Sequence, residues 1–159
     1  FYHYKLTVVP AGCDRPEDEP LKEVSLNPSF LSELRTLLPK NNSWGPVEEF
    51  ESVAEWGSDL RIWHAEDLTN PLLADIESID FRFSPLGDAI EVLHSFINLV
   101  SQQDYGLFSC ETRQFLAPDL ATVLDDFKQT VAFDALSDPE AALLKAVEQV
   151  SKKDGRETS

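Results

Sequence analysis

The sequence lacks the features of a membrane-spanning or disulfide-rich protein. Its apolar runs stay far below the roughly 20 residues that a transmembrane helix needs. Its start, FYHYKLTVVP, has no charged region followed by an apolar stretch, as signal peptides do. Two cysteines, Cys13 and Cys110, are too few for a disulfide framework, although one bond between them is left open. We therefore expect a cytoplasmic protein whose thiols are reduced.

Glycine and the motifs built on it are equally sparse. The six glycines stand singly, so the chain has neither G-x-G-x-x-G nor a phosphate-binding P-loop. It also has no G-x-S-x-G elbow that would expose a nucleophilic serine. The sequence therefore predicts no catalytic residues and no cofactor. A small hydrolase-type enzyme that uses carboxylates is left open, because any acid can meet another once the chain folds.

Histidines at metal-ligand spacing are few. His64 and Glu66 match half of the zinc deaminase signature, but the Pro-Cys-x-x-Cys half that supplies the other ligands is missing. Glu91 and His94 have the spacing used in di-iron sites, yet the chain has no second pair of this kind. We expect no bound metal.

Basic residues are heavily outnumbered. The chain has 13 Lys and Arg against 29 Asp and Glu, which gives a formal net charge of -16. Such a field repels nucleic acid and anionic lipid surfaces, and it attracts basic proteins over a Debye length of about 8 Å at physiological salt. We expect no nucleic-acid or membrane partner. The acidity serves either solubility or the recognition of a basic protein.

The sequence does contain the patterns of a folded domain, which we expect over residues 1–151, followed by a frayed tail at 152–159. Alternating apolar residues predict strands over 2–9, 59–64, 79–83, 105–110 and 113–116, while 40–58 reads as mostly irregular. Apolar residues three and four apart predict helices beginning at Asn27-Pro28, Ser84-Pro85, Pro118-Asp119 and Ser137. This order predicts an α+β fold, with helices packed on one face of a mainly antiparallel sheet as a single pair of layers.

Apolar residues that share one face of these segments predict the core. They are Ile79, Phe81, Phe83, Leu93, Phe96, Ile97, Leu124 and Phe127.

The middle of the chain combines tryptophan with acidic residues but has no core periodicity. Aromatic residues inside an acidic rim are typical of a surface that binds a basic protein. The alternative is a solvated loop with tryptophans turned inward. On the first interpretation, charge reversal at Glu48 and Glu49 slows association and leaves stability unchanged. The predicted partner-binding residues are Trp44, Glu48, Glu49, Glu51, Glu55, Trp56 and Asp59.

The C-terminal half resembles a loose class of small bacterial proteins, mostly uncharacterised, some of which are similar to immunity proteins that neutralise polymorphic toxins. The likeness rests on IDFRFSPLGDAIEVLHSFINLVSQQDYGLF (79–108), RQFLAPDLATVL (113–124) and FDALSDPEAAL (133–143). The resemblance implies sequestration by binding, without turnover, and it assigns no functional residue. We expect a non-catalytic binding protein, an immunity-type inhibitor that sequesters a basic toxin or another basic protein. The alternative is an adaptor or structural module.

Overall fold

The computed structural model describes residues 3–15, 20–21, 24–41, 44–65 and 75–134, which form six strands and four helices. The strands are β1 (Tyr4–Pro10), β2 (Val47–Glu51), β3 (Asp59–His64), β4 (Ile76–Phe83), β5 (Tyr105–Ser109) and β6 (Gln114–Leu116). The helices are α1 (Pro28–Leu37), α2 (Ile90–Ser101), α3 (Leu120–Phe127) and α4 (Val131–Asp134). The helix predicted from Ser137, the tail at 152–159 and Glu66 lie outside the described residues.

The six strands form one sheet in the order β2-β3-β4-β1-β5-β6. Every neighbouring pair runs antiparallel, so the predicted α+β fold with a mainly antiparallel sheet is confirmed. β1 comes first along the chain but lies inside the sheet, between β4 and β5.

The helices pack on one face of this sheet. Leu60 and Phe81 are partners across β3 and β4, so both side chains point to the same face. Phe96 of α2 stacks on Phe81, with 4.4 Å between the ring centroids. Tyr4 of β1 belongs to the same face and meets Phe127 of α3 edge to face at 5.1 Å. This layer of helices against the sheet encloses the core.

The predicted core residues are all buried in one cluster, as expected from their periodicity. They are Ile79, Phe81, Phe83, Leu93, Phe96, Ile97, Leu124 and Phe127.

One local prediction was incomplete and one was wrong. The segment 40–58, predicted to be mostly irregular, also contains the strand β2; the alternation of β2 is hidden because Glu48 occupies an inward position where the pattern needs an apolar residue. Ser84 does not cap α2: its carbonyl accepts hydrogen bonds from the backbone N–H groups of Gly87 and Asp88, which forms a turn. The helix begins only at Ile90, with Ala89 at the N-cap.

Within the part of the chain that the structure describes, no helix combines the length and the apolar character needed to cross a membrane.

Candidate functional site

The segment predicted to bind a partner forms the β2 edge of the sheet. The outer side of β2 is covered by the chain that precedes it: Asn41 N–H donates to the Glu49 carbonyl, and Glu51 N–H donates to the Pro39 carbonyl, each at 2.9 Å. Covering the backbone groups of an edge strand prevents pairing with a foreign strand. The segment therefore offers side chains, and not an open strand edge, to a partner.

Glu48 lies in the protein interior and not on the surface. Arg35 of α1 donates from Nε and Nη2 to its two carboxylate oxygens at 3.1 and 2.9 Å, and His64 Nε2 lies 2.8 Å from Oε2. Burial alone would raise the pKa of Glu48, but the hydrogen bonds and charges of Arg35 and His64 outweigh it and lower the pKa. We name this set the Glu48 cluster. It ties α1 to β2 and β3.

Asp59 is buried as well, on the opposite face of the sheet. Arg82 of β4 donates from Nε to Asp59 Oδ1 at 2.9 Å and from Nη2 to Oδ2. The hydrogen bonds to Asp59 raise the pKa of the Arg82 guanidinium, which keeps Arg82 charged. Glu48 and Asp59 therefore do not belong to an exposed acidic surface, and we now expect charge reversal at Glu48 to destabilise the fold, in contrast to the sequence-based expectation.

Trp44 and Glu49 lie together beside β2. The Trp44 indole N–H donates to Glu49 Oε2 at 3.0 Å, and the Trp44 ring meets Trp63 edge to face at 6.0 Å. Arg61 Nε lies 3.8 Å from the same carboxylate oxygen, so the charge of Glu49 is compensated on the sheet. Trp44 remains 51% exposed and is held in one orientation.

Glu51, Glu55 and Trp56 are exposed at the other end of β2. Glu51 accepts a hydrogen bond of 2.7 Å from the Asn41 side chain. Glu55 and Trp56 belong to the loop 52–58 between β2 and β3, and Trp56 is 54% exposed. Trp44 is bridged to Val47 at the start of β2, and the strand from Val47 to Glu51 spans about 14 Å at about 3.4 Å per residue. The structure thus leaves four predicted residues exposed: Trp44, Glu51, Glu55 and Trp56.

The residue that sequence reasoning missed is Asp88, in the turn 84–89 before α2. Its Oδ1 accepts a hydrogen bond of 2.7 Å from the Ser52 hydroxyl, and its Oδ2 accepts one of 2.5 Å from the Ser58 backbone N–H. These bonds attach both ends of the loop 52–58 to the turn. An aspartate just before a helix reads as a capping residue, so the sequence held no signal for this role.

The described residues do not assemble a metal or thiol site. No group of three or more His, Cys, Asp and Glu side chains among them is placed to hold a metal ion. Cys13 and Cys110 are free thiols and are not joined. The side chain of His64 is fully buried against Glu48, which leaves it no access to a substrate.

Comparisons with protein-family models, with curated proteins and with solved structures find no match to this chain. The resemblance to immunity proteins rests on the sequence layout alone.

Proposed function

We propose that this chain is a non-catalytic binding protein that sequesters a basic protein, and that the partner is a toxin of the kind that immunity proteins neutralise. One observation carries the proposal: Trp44 and Trp56, at the two ends of β2, are each more than half exposed. Tryptophan is among the residues that most often dominate the binding energy of a protein interface. Exposed indoles that flank a folded strand support a role in contacting a partner.

Charge supports a basic partner. Glu51 and Glu55 are exposed between and beside the two tryptophans, and the chain carries a net charge of -16. Two copies of this chain repel each other, whereas a basic protein is drawn towards it, which accelerates association. The toxin class comes from the resemblance of the C-terminal half.

The buried charges favour a binding protein over the alternative of an enzyme that uses carboxylates. Two acids of this segment, Glu48 and Asp59, are buried, and each forms an ion pair with an arginine. Carboxylates whose oxygens are already bound by a buried arginine are structural partners and are not positioned for proton transfer to a substrate. An adaptor with the same surface differs from an inhibitor in one measurable respect, since only an inhibitor abolishes the activity of its partner.

The test uses purified basic proteins encoded beside the gene for this chain. Their association is measured at low and at high salt with the wild type, with Glu51→Lys/Glu55→Lys, and with Asp125→Lys/Asp134→Lys on the helices. Each pair adds four positive units, taking the formal charge from -16 to -12. If the β2 surface is the site, the first pair lowers the association rate by about tenfold or more, and the second pair has a smaller effect.

Equal effects of the two pairs would show that only the overall field matters and would refute a site beside β2. Failure of every tested neighbour to bind would refute the proposed partner class. A bound partner that keeps its enzymatic activity would favour the adaptor.

A further inference from the structure

The loop 52–58 and the turn 84–89 present a group of exposed apolar side chains. Val53 is 91% exposed, Trp56 is 54% exposed and Leu86 is 57% exposed. Of the five large apolar side chains exposed in the described part of the chain, these two short segments supply three. We call these three residues the Trp56 knob. Clustered apolar exposure of this kind marks interaction sites more often than isolated apolar residues do.

The two segments are in direct backbone contact. A Cβ atom added to Gly87 would lie 2.4 Å from the carbonyl oxygen of Trp56, closer than real Cβ atoms approach. The Ser84 hydroxyl donates a hydrogen bond to the same carbonyl. Leu86 and Trp56 are therefore displayed by segments whose backbones touch, and only glycine fits at position 87.

The backbone of Trp56 is strained. Its φ is 59°, in the left-handed region that bulky side chains seldom adopt. A conformation of this kind costs on the order of 1–3 kcal/mol and persists only where the surrounding structure enforces it. This strained backbone holds a tryptophan whose side chain is 54% exposed.

The surroundings of the loop enforce this conformation. Asp88 binds Ser52 and Ser58, as described above, and the Ser52 hydroxyl also accepts a hydrogen bond of 3.2 Å from Ala54 N–H. Gly57 N–H donates to the Ala54 carbonyl at 3.1 Å. The loop is thus ordered before any partner arrives, so binding does not have to supply the free energy of ordering it.

We propose that the Trp56 knob is the anchor of the interface and inserts into an apolar pocket rimmed by lysine and arginine on the basic partner. The inference rests on the proposed function and adds the point of insertion. Glu55, exposed in the same loop, and Glu51, exposed at its start, fit a basic rim around an apolar pocket. A second copy of the chain, also at -16, does not supply such a rim.

The test uses two labelled synthetic peptides of equal charge, one alternating lysine with leucine and one alternating lysine with serine. The wild type is expected to bind the lysine–leucine peptide at least about tenfold more tightly, because only leucine contacts the knob. Trp56→Gly, which suits the left-handed backbone, and Leu86→Ser each reduce this preference severalfold. Val131→Ala removes an equally exposed apolar side chain elsewhere and leaves the preference unchanged. If Trp56→Gly does not fold, Leu86→Ser decides.

The positioning role of Asp88 is tested through Ser52→Ala, which removes one hydrogen bond to Asp88. It is expected to weaken binding of the lysine–leucine peptide in the wild-type background and to have no further effect in Trp56→Gly. Equal losses in both backgrounds would show that Ser52 acts independently of the knob and would overturn this role.

The outcomes separate the inference from the function on which it rests. Tight, salt-sensitive binding of both peptides without a preference would overturn the insertion of the knob and leave a charge-driven binding surface. Absence of binding to either peptide would overturn both. Unchanged preference in both knob variants would place the apolar contact elsewhere.

Discussion

His64 Nε2 lies 2.8 Å from Glu48 Oε2 on the adjacent strand, and both side chains are buried. Arg35 donates a hydrogen bond to each of the two oxygens of the same carboxylate. Moving charges out of water is costly, so such a cluster adds little stability over an apolar core of the same shape. Removal of one partner is nevertheless destabilising, because it leaves a buried charge without its counter-charge. The carboxylate of Glu48 therefore links the edge strand to both α1 and β3.

We predict that Glu48→Gln lowers the free energy of unfolding by about 3 kcal/mol at neutral pH, because the Arg35 guanidinium loses its buried counter-charge. Since the pKa of Glu48 is lowered in the folded state, its contribution to stability is present above its ordinary value of 4.5 and is lost as the pH falls below it. The gap in stability between the wild type and the variant should therefore narrow under acid conditions. Urea denaturation at a series of pH values measures it.

The matched control is Glu51→Gln, an exposed position on the same strand. It should change stability by less than about 0.5 kcal/mol. A Glu48→Gln variant as stable as this control would contradict the structural role of the Glu48 cluster.

A second prediction concerns Tyr4, whose hydroxyl donates to Asp126 of α3 at 2.7 Å in the core. Burial, followed by the hydrogen bond and charge of Asp126, raises the pKa of Tyr4, which keeps it a donor. Tyr4→Phe should cost about 1–3 kcal/mol, because a buried carboxylate oxygen loses its partner. Tyr105→Phe removes a hydroxyl that has only a long, exposed contact and serves as the control. Thermal unfolding measures the stability of both variants. An equal loss of stability in the two would contradict a structural role for the hydrogen bond between Tyr4 and Asp126.

A third prediction tests the core. Phe96 has no exposed surface and stacks on Phe81, so Phe96→Ala should cost about 3–5 kcal/mol from lost burial and the cavity that remains. Val53→Ala, at a highly exposed position, should stay within about 0.5 kcal/mol. Chemical denaturation compares the two, and a loss under about 1 kcal/mol at Phe96 would contradict its place in the core.

Local patterns predicted several elements closely because their causes are local. β3 matches the predicted strand at 59–64. Asn27 caps α1 by accepting a hydrogen bond of 2.8 Å from Ser29 N–H, as its place before Pro28 indicated. The prediction failed at β2, where the inward position of Glu48 depends on an arginine that arrives from another element.

The composition of the segment around the tryptophans is poorly explained by folding, which predicts a binding surface there, but it does not indicate which acids of the segment are exposed. Among its acids, however, burial of Glu48 and Asp59 follows from Arg35 and Arg82, which are distant in sequence. A local sequence pattern does not show whether an acidic residue will be paired with an arginine from a distant part of the chain.

The sequence by itself determined the acidity of this protein, the faces of its helices and strands, and the core that those faces form, because periodicity and charge are properties of the chain. Only the tertiary structure decided that β1 lies between β4 and β5, which acids are paired with an arginine, and that Asp88 ties the loop 52–58, with Trp56 in a left-handed conformation, to the turn before α2. These features depend on contacts between residues far apart in the chain, and such contacts form only when the strands have paired in this order.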